Sequence, residues 1–254
     1  MYREMFDLRG EVALIVGGAG DIPGACAMGL AEFGANIVVA DINLAAAEQV
    51  AEKVAKMGVT SVAMSLNITN PAEIETVVHK TMQQFGKIDI LLNGVGATVR
   101  KPALDITTEE WLNIINVNLN SAFILSKAVA KEMIREKKGK MIHISSTGAV
   151  RPGVNFSAYG ASKAGQVHLI KALALELAPY RINVNAIAPT ATETGFTNDY
   201  YAKFPERKEA TCKNHPFGRL GRPEDYVGAA IYLASHASDF VNGHVIVVDS
   251  GKTI

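Results

Sequence analysis

Residues 12–24 read VALIVGGAGDIPG, and this stretch decides the fold. Its first five residues are all apolar, which is typical of a strand buried on both faces of a sheet. A glycine-rich turn follows, and helical periodicity begins at Pro23. Proline fits a first helical turn because the N–H there has no helical partner. Glycines at such a junction let backbone N–H groups approach a phosphate at the helix N-terminus. The stretch therefore predicts a strand–turn–helix unit that can bind a pyrophosphate.

Short apolar runs alternate with segments of helical period along most of the chain. Strands rich in Val and Ile that alternate with helices predict a parallel sheet with right-handed crossovers. The predicted fold class is α/β, a doubly wound parallel sheet with helices on both faces and ligands beyond the carboxyl ends of its strands. Strands are predicted at residues 12–16, 36–40, 61–66, 88–92, 140–144, 182–186 and 244–248. Helices are predicted at residues 23–33, 44–57, 71–85 and 223–234, after Thr107 and around Tyr159.

Length and composition bound the class of protein. The chain has 254 residues, 48% of them hydrophobic, with 25 Lys and Arg against 25 Asp and Glu. It shows no repeat, linker or low-complexity segment, so we expect one domain over residues 1–254. The balanced charge gives no reason to expect a nucleic-acid or anionic-membrane partner. No apolar run reaches the roughly 18 residues of a membrane helix, so we expect no membrane partner.

The cysteines and histidines form no metal-binding pattern. Cys26 and Cys212 make no CxxC pair, and the six histidines show no HExxH spacing, so we predict no metal site. Cys26 lies in an apolar helical run, which predicts that it is buried as a small hydrophobic residue. This cysteine usage, with an N-terminus that lacks a signal-peptide pattern, predicts a soluble protein of the reducing cytoplasm.

A second informative stretch, SSTGAVRPGVNFSAYGASKAG at residues 145–165, leaves a predicted strand and enters a predicted helix. Tyr159 and Lys163 are four residues apart and share one helix face, and Ser146 precedes them at the strand end. A free phenol has a pKa of about 10, and a neighbouring ammonium lowers it by stabilising the phenolate. These residues predict a proton-transfer site for a C–OH or C=O group. The Tyr–Lys pair alone is weak evidence, because such pairs also occur on ordinary helices.

Asp41 follows the glycine turn by about twenty residues and ends the predicted strand VVAD. A carboxylate at this place accepts hydrogen bonds from a ribose diol and repels a 2′-phosphate, which favours NAD over NADP. Neither Ile42 nor Asn43 supplies a cation for that phosphate. The alternative interpretation is that Asp41 is a solvated carboxylate at a strand end.

The chain resembles the short-chain dehydrogenase/reductase family over almost its full length. Six motifs in the right order and spacing make the resemblance specific. It implies a Rossmann-like seven-stranded sheet, a nicotinamide cofactor and usually a homotetramer. The resemblance rests on the glycine turn, Asp41, Asn93-Gly94-Val95-Gly96, Asn116-Val117-Asn118, Ser146, Tyr159-x-x-x-Lys163, and Pro189 with Thr194.

The resemblance also implies the roles of individual residues. Tyr159 would be the acid/base, Ser146 would hydrogen-bond the substrate oxygen, and Lys163 would hold the nicotinamide ribose and lower the pKa of the phenol. Asn118 would support a proton-relay water. The cofactor-binding positions implied by the match are Gly17, Gly20, Asp21, Ile22, Asp41, Asn67, Ile68, Asn93, Gly94, Tyr159, Lys163, Pro189 and Thr194.

Several positions depart from the family pattern. Asp21 and Pro23 stand where the family's glycine motif has its second and third glycines, and Gly94 follows Asn93 where a second Asn is usual. Pro23 cannot donate to a phosphate, and Asp21 brings a carboxylate close to the expected pyrophosphate unless it points away as a helix cap. The further departures are Val16 for Thr, Asn67 for Asp and Thr190 for Gly. None removes a catalytic group, so they bear on cofactor affinity rather than on chemistry.

Loops beyond the strand ends are expected to select the substrate. Arg100, Arg151 and Asn155 are the candidate substrate-binding residues, and a lid is expected at about residues 190–220, where cations outnumber carboxylates. These cations favour a carboxylated or phosphorylated polar substrate, with Asn155 on a hydroxyl. The alternative is that they are the solvated faces of a mobile lid. The opening FDLRGEVALIV also resembles that of family members that act on sugar acids and polyols.

The predicted function is an NAD-dependent oxidoreductase that interconverts a secondary alcohol and a ketone on a small polar substrate, a sugar, sugar acid or polyol. Two alternatives stay open. One is a 3-ketoacyl or other carbonyl reductase of the same family, which would usually prefer NADPH, so Asp41 argues against it. The other is a non-catalytic NAD-binding sensor or scaffold, which the altered glycine turn permits and the complete set of catalytic residues opposes.

Overall fold

The computed structural model describes the backbone of residues 1–254 and every side chain except those of Phe196 and Asp199. Its strands are β1 (Val12–Val16), β2 (Asn36–Asp41), β3 (Ser61–Ser65), β4 (Ile90–Asn93), β5 (Gly139–Ile144), β6 (Ile182–Pro189) and β7 (Val245–Val248). They form one seven-stranded sheet in the order β3-β2-β1-β4-β5-β6-β7, with each neighbouring pair parallel. The predicted fold class is confirmed.

Helices cover both faces of this sheet. They are α1 (Asp21–Glu32), α2 (Leu44–Ala55), α3 (Pro71–Phe85), α4 (Thr108–Ile115), α5 (Ser121–Glu136), α6 (Ser157–Leu177), α7 (Gly195–Lys203), α8 (Pro205–Lys213) and α9 (Val227–Ala234). Successive side chains of a strand point to opposite faces, so one strand serves two cores. In β1, Leu14 packs in the core under α3, α5 and α6, and Ile15 packs in the core under α1, α2 and α9. This explains why β1 is apolar throughout.

Local sequence signals set both ends of α3, which lie where residues 71–85 were predicted to be helical. Asn70 caps α3 by accepting from the Ala72 N–H at 3.1 Å, Pro71 is its first residue, and Gly86 ends it in the left-handed conformation.

Cys26 is fully buried in α1, as expected, and burial raises the pKa of its thiol to about 12. This cysteine is therefore an inert core residue.

Other boundaries differ from the predictions for physical reasons. α1 begins at Asp21 rather than at Pro23, because Gly20 takes the N-cap position and a proline in the first turn costs no helical hydrogen bond. β6 continues to Pro189, because its last residues pair with β7 up to Val248. The helix after Thr107 is not continuous: a π-helical segment at Asn116–Asn120 separates α4 from α5. Such segments are often found at functional sites.

Among the described residues, no helix is both long and apolar enough to cross a bilayer. The same part of the chain contains no cluster of three or more His, Cys, Asp or Glu side chains that could hold a metal ion.

Candidate active site

A cavity of about 810 Å³ opens at the carboxyl ends of the central strands. In a doubly wound sheet this edge is where ligands bind, because the loops that leave the strands converge there. The predicted site residues that line it are Gly20, Asp21, Ile22, Gly94, Arg100, Ser146, Arg151, Tyr159, Lys163, Pro189 and Thr194. The fold thus brings together residues from five separate parts of the chain.

Ser146 and Tyr159 meet across Gly148. Ser146 follows β5, and its hydroxyl accepts a hydrogen bond from the Gly148 N–H at 3.0 Å. A Cβ at position 148 would lie 3.3 Å from the Ser146 hydroxyl and 3.5 Å from Cε1 of Tyr159. The glycine therefore leaves the serine hydroxyl and the phenol ring close together at the cavity wall.

Tyr159, on the first turn of α6, has a perturbed phenol. Burial raises its pKa above the ordinary value, while interactions with the Ser146 hydroxyl and with the charge of Arg100 lower it. A phenol with a raised pKa is protonated at neutral pH and can act as an acid toward a carbonyl oxygen. A nearby cation is what moves it toward the basic form.

Lys163 lies one turn further along α6 and is fully buried. Its ammonium donates to the Ile144 carbonyl at 2.9 Å and to Oε1 of Gln166 at 3.4 Å. Burial lowers the pKa of Lys163 to about 8. Lys163 is turned toward Ile144 and Gln166, and the cation whose charge lowers the pKa of Tyr159 in this structure is Arg100. The effect of Lys163 on the phenol stays a prediction of the resemblance.

Asn118 occupies the π-helical segment and fixes the loop after β4. Its Oδ1 accepts from the Ala97 N–H at 2.7 Å, and its Nδ2 donates to the Ala97 carbonyl at 2.9 Å and to the Ser162 hydroxyl at 2.8 Å. The Asn118 backbone carbonyl accepts from Nε2 of Gln166 at 3.3 Å. Gln166, which the sequence analysis missed, thereby joins Lys163 to Asn118. The signal was its spacing of three residues from Lys163 on one helix.

The glycine turn forms an uncapped helix N-terminus at the cavity. Gly17 has a φ of 74°, and a Cβ on it would lie 3.0 Å from Val95 Cγ2, so this position requires glycine. Gly20 is the N-cap of α1 and provides no side-chain cap for the N–H groups of Asp21 and Ile22. These N–H groups fit the pyrophosphate of a dinucleotide.

Asp21 is directed away from this cradle. Its carboxylate accepts a hydrogen bond from the Gly195 N–H at 2.9 Å, at the first residue of α7. Thr194 caps the same helix, since its hydroxyl accepts from the Thr197 N–H at 3.3 Å. Asp21 therefore ties the glycine turn to the segment that the sequence predicts as a lid, and does not cap α1.

The remaining cofactor candidates lie at the sheet edge outside the cavity lining. Asp41 ends β2 and accepts from the Ala19 N–H at 3.1 Å and from the Asn43 N–H at 2.9 Å. Asn67 accepts from both the N–H and the hydroxyl of Thr69, and Ile68 is buried in the core. Asp41 thus braces both the glycine turn and the turn after β2, and each of its oxygens, with one such bond, keeps a lone pair for a ligand. The Asn67 oxygen braces its own turn and already accepts two hydrogen bonds.

Asn93 belongs to a buried polar chain behind the cavity. Its Nδ2 lies 3.4 Å from Nδ1 of His143, and Nε2 of His143 lies 3.2 Å from the Ser126 hydroxyl. Ser126 in turn donates to the Ala122 carbonyl at 2.7 Å, so its hydroxyl oxygen accepts a hydrogen bond from the Nε2–H of His143. Asn93 Oδ1 accepts from the Val95 N–H at 3.2 Å. This chain supports the loop that begins at Gly94.

The substrate candidates are placed differently from one another. The Arg100 guanidinium lies 4.7 Å from the ring centroids of both Phe156 and Tyr200, which connects the loop after β4 to α7. Arg151 lines the cavity. Asn155 does not line it; its φ of 66° shows that it serves a left-handed turn, a conformation that Asn tolerates.

The C-terminal turn also contributes to the site. Lys252 and Thr253 line the cavity, and the Arg151 guanidinium donates to the Lys252 carbonyl at 3.1 Å. The sequence analysis missed both residues, since no motif marks them and they lie about a hundred positions from Arg151. Only the folded chain brings them to the cavity wall.

The parallel sheet, the uncapped turn before α1, the acid at the end of β2 and the Ser–Tyr–Lys group at one cavity are features of the Rossmann-type dinucleotide-binding oxidoreductases. A family model described as enoyl-(acyl carrier protein) reductase matches residues 18–253. The chain is 36% identical over 254 residues to 5-keto-D-gluconate 5-reductase of Escherichia coli, covering 99% of this chain and 98% of that protein.

Two further relatives agree. The chain is 36% identical over 252 residues to 2-dehydro-3-deoxy-D-gluconate 5-dehydrogenase of Dickeya dadantii, covering 99% of this chain and 98% of that one. A solved gluconate 5-dehydrogenase from Burkholderia cenocepacia, in complex with NADP and tartrate, is similar with a TM-score of 0.94 and 34% identity, covering 100% of this chain and 99% of that chain. This chain belongs to the short-chain dehydrogenase/reductase family of oxidoreductases, which confirms the predicted resemblance.

Proposed function

We propose that this chain is an NAD(H)-dependent oxidoreductase that interconverts a secondary alcohol and a ketone on a sugar acid. The observation that carries the substrate class is the charge of the cavity wall. Its charged lining residues, among those the structure describes, are one carboxylate, Asp21, and the four cations Arg100, Arg151, Lys163 and Lys252. Cations in a partly dry cavity favour an anionic ligand.

In the proposed reaction Tyr159 moves the proton of the reacting hydroxyl. It donates that proton to the substrate oxygen in reduction and accepts it in oxidation, while the Ser146 hydroxyl hydrogen-bonds the same oxygen. A bound nicotinamide supplies or accepts the hydride. The proximity of Ser146 and Tyr159 across Gly148 supports these roles.

Lys163 and Asn118 complete the proposed proton path. A Lys163 pKa of about 8 leaves the amine able to exchange a proton near neutral pH. Gln166 connects this amine to the Asn118 carbonyl, next to the loop that lines the cavity. We therefore place Lys163 as the residue that holds the cofactor ribose and relays a proton, and Asn118 as the residue that orders this path.

The choice of NAD over NADP rests on Asp41. Its carboxylate lies at the end of β2 and is followed by Ile42, which is 73% exposed and carries no charge. A 2′-phosphate at this position would meet a negative charge rather than a cation. The Burkholderia relative was solved in complex with NADP, so the comparison of the two cofactors is the decisive measurement.

The names of the relatives support a sugar acid with the reacting carbon distant from its carboxylate. The test is a panel of gluconate, 5-ketogluconate, sorbitol and a 3-hydroxyacyl thioester with NAD(H) and NADP(H), followed by the absorbance of the reduced nicotinamide. We expect turnover of a sugar acid with NAD. Oxidation of the thioester with NADP as hydride acceptor would instead support the alternative carbonyl reductase.

A variant separates catalysis from binding. Tyr159→Phe is expected to lose about 10²- to 10⁴-fold in kcat while it retains NAD affinity, because it removes the acid/base group alone. Equal turnover in the variant and the wild type would refute the role of Tyr159. If NAD binds and no substrate of the panel is turned over, the sensor alternative gains support.

The family resemblance also motivates an assembly proposal. We propose a homotetramer in which each chain is one domain that binds cofactor and substrate together, with residues 190–220 as its lid. Light scattering with size-exclusion chromatography measures the assembly directly. A monomer at micromolar concentration would contradict it.

A further inference from the structure

The turn at the C-terminus is held in shape by Asp249. The Asp249 carboxylate accepts from the Gly251 N–H at 2.9 Å, the Thr253 N–H at 2.8 Å and the Thr253 hydroxyl at 2.7 Å. Ser250, with a φ of 59°, adopts the left-handed conformation that this tight turn requires. The turn presents Lys252 and Thr253 to the cavity in a defined position.

Arg151 is joined to this turn. Its guanidinium donates to the Lys252 carbonyl at 3.1 Å, across 101 positions of sequence. The loop after β5 and the C-terminal turn therefore form one wall, which both Arg151 and Lys252 line and on which the charge of Arg151 acts on Lys252. Asp249, the carboxylate whose charge acts on Lys252, is already engaged by the hydrogen bonds of its own turn.

The electrostatics of this wall favour an added anion. Burial lowers the pKa of Lys252, the charge of Asp249 raises it, and the charge of Arg151 lowers it again. Two neighbouring cations repel each other, and an anion that contacts both replaces this repulsion with attraction. A carboxylate suits the pair, because a guanidinium offers two parallel N–H groups and an ammonium adds a point charge.

Arg100 occupies a separate place in the cavity. It stacks between Phe156 and Tyr200, and its charge acts on the phenol of Tyr159. The charge of Arg151, in contrast, acts on Lys252. The cavity thus has Arg100 and Lys163 at the reacting end and a pair of cations, Arg151 and Lys252, at another position.

We propose that Arg151 and Lys252 form an anion subsite that binds the carboxylate of a polyhydroxy acid while its reacting carbinol lies at Tyr159. The proposal rests on the proposed function and extends it, since it assigns the carboxylate to the C-terminal wall rather than to Arg100. It predicts a preference for acids whose carboxylate lies several bonds from the carbon that is oxidised.

The test compares gluconate with gluconamide, its uncharged counterpart, in the full-length protein with saturating NAD. Binding is measured by calorimetry in a Tyr159→Phe background, in which turnover does not interfere. We expect Lys252→Met to weaken gluconate binding about tenfold or more, and Lys252→Arg to retain most of the affinity, because a charged hydrogen bond is worth at least about 1.5 kcal/mol. Gluconamide binding is expected to be the same with and without Lys252→Met.

Matched controls and kinetics make the outcomes distinct. Lys53→Met, on the exposed face of α2, is expected to change nothing. In the active enzyme, Lys252→Met is expected to raise the KM for gluconate about tenfold with little change in kcat. Binding that depends on Lys252 without turnover would uphold the subsite and refute the proposed activity. Three results would overturn the subsite. They are a KM for gluconate that Lys252→Met leaves unchanged, an equal loss of affinity for gluconate and gluconamide, and no binding of gluconate at all.

Discussion

The ring of Pro23 packs directly against the backbone of Gly94, so closely that a Cβ at position 94 would lie 2.1 Å from Cγ of Pro23. Both residues depart from the usual pattern of the family, in which glycine and asparagine stand at the respective positions. The structure shows that the two departures are a matched pair: the larger residue on α1 requires the smaller one after β4. The glycine turn and the end of β4 therefore still pack closely, but the larger side chain is now at position 23 and the smaller one at position 94.

This pairing predicts non-additive effects on stability. Gly94→Ala is expected to cost about 1–3 kcal/mol in the free energy of unfolding, since the added methyl overpacks a tight contact. In Pro23→Gly/Gly94→Ala the same methyl has space, so the double variant is expected to be more stable than the sum of the single changes by about 0.5–3 kcal/mol. Urea unfolding of the four proteins measures the coupling. If the stability costs of the two single changes simply add in the double variant, the Pro23–Gly94 contact does not couple the two positions.

The hydrogen bond from Gly195 to Asp21 predicts opposite effects on cofactor and substrate. Asp21→Ala removes a negative charge at the first residue of α1, next to the glycine turn, and frees the first turn of α7. We expect NAD to bind several-fold more tightly, because like-charge repulsion is removed, and the substrate KM to rise several-fold, because the lid is less ordered. Fluorescence titration of NAD and steady-state kinetics measure the two effects. Asp21→Asn retains an acceptor for the Gly195 N–H, so it should bind NAD more tightly without a rise in the substrate KM. If both variants instead bind NAD and substrate more weakly, the proposed role of the Asp21–Gly195 hydrogen bond is contradicted.

The charge of Arg100 predicts a shifted pH profile. Burial raises the pKa of Tyr159 and Arg100 lowers it, so Arg100→Met leaves the phenol with a higher pKa. The rising limb of kcat/KM for alcohol oxidation should therefore move to higher pH, with activity at neutral pH reduced. Lys101→Met is the matched control, because Lys101 is already paired with Glu110. An unchanged limb in Arg100→Met would contradict the role of this cation.

His143 predicts a loss of stability in acid. Burial, aided by the charge of Lys163, lowers its pKa from 6.5 to about 4. In the unfolded chain this histidine binds a proton below about pH 6.5, but in the folded chain it does so only below about pH 4. Its contribution to the free energy of unfolding is therefore complete above pH 6.5 and is lost as the pH falls to 4, by on the order of 3 kcal/mol. Urea unfolding at pH 7.5 and 4.5 tests this. His143→Gln should show a smaller decrease than the wild type, and the exposed control His79→Gln should decrease like the wild type. Identical decreases in all three would exclude His143 as the cause.

Local patterns were enough to predict much of this protein. The apolar runs and helical segments predicted the order of strands and helices, because burial on both faces of a parallel sheet leaves a continuous apolar signature in each strand. The start of α3 at Pro71 was predicted correctly, since a helix start depends on adjacent residues such as Asn70 and Pro71. The spacing of Tyr159 and Lys163 predicted that they share one helix face, because residues four apart are about one helical turn apart. The sequence by itself therefore determined the fold class and the residues proposed for catalysis.

The tertiary structure decided the contacts between distant parts of the chain. Asp21 meets Gly195 across 174 positions, and Arg151 meets Lys252 across 101. No periodicity encodes these pairs, because a pattern of three or four residues describes one element and not the loops that converge beyond it. The orientation of Lys163 toward Ile144 also depends on a backbone carbonyl that no motif reveals. Sequence determined which chemistry this chain carries, and the packing of its loops at one edge of the sheet decided which charges surround it.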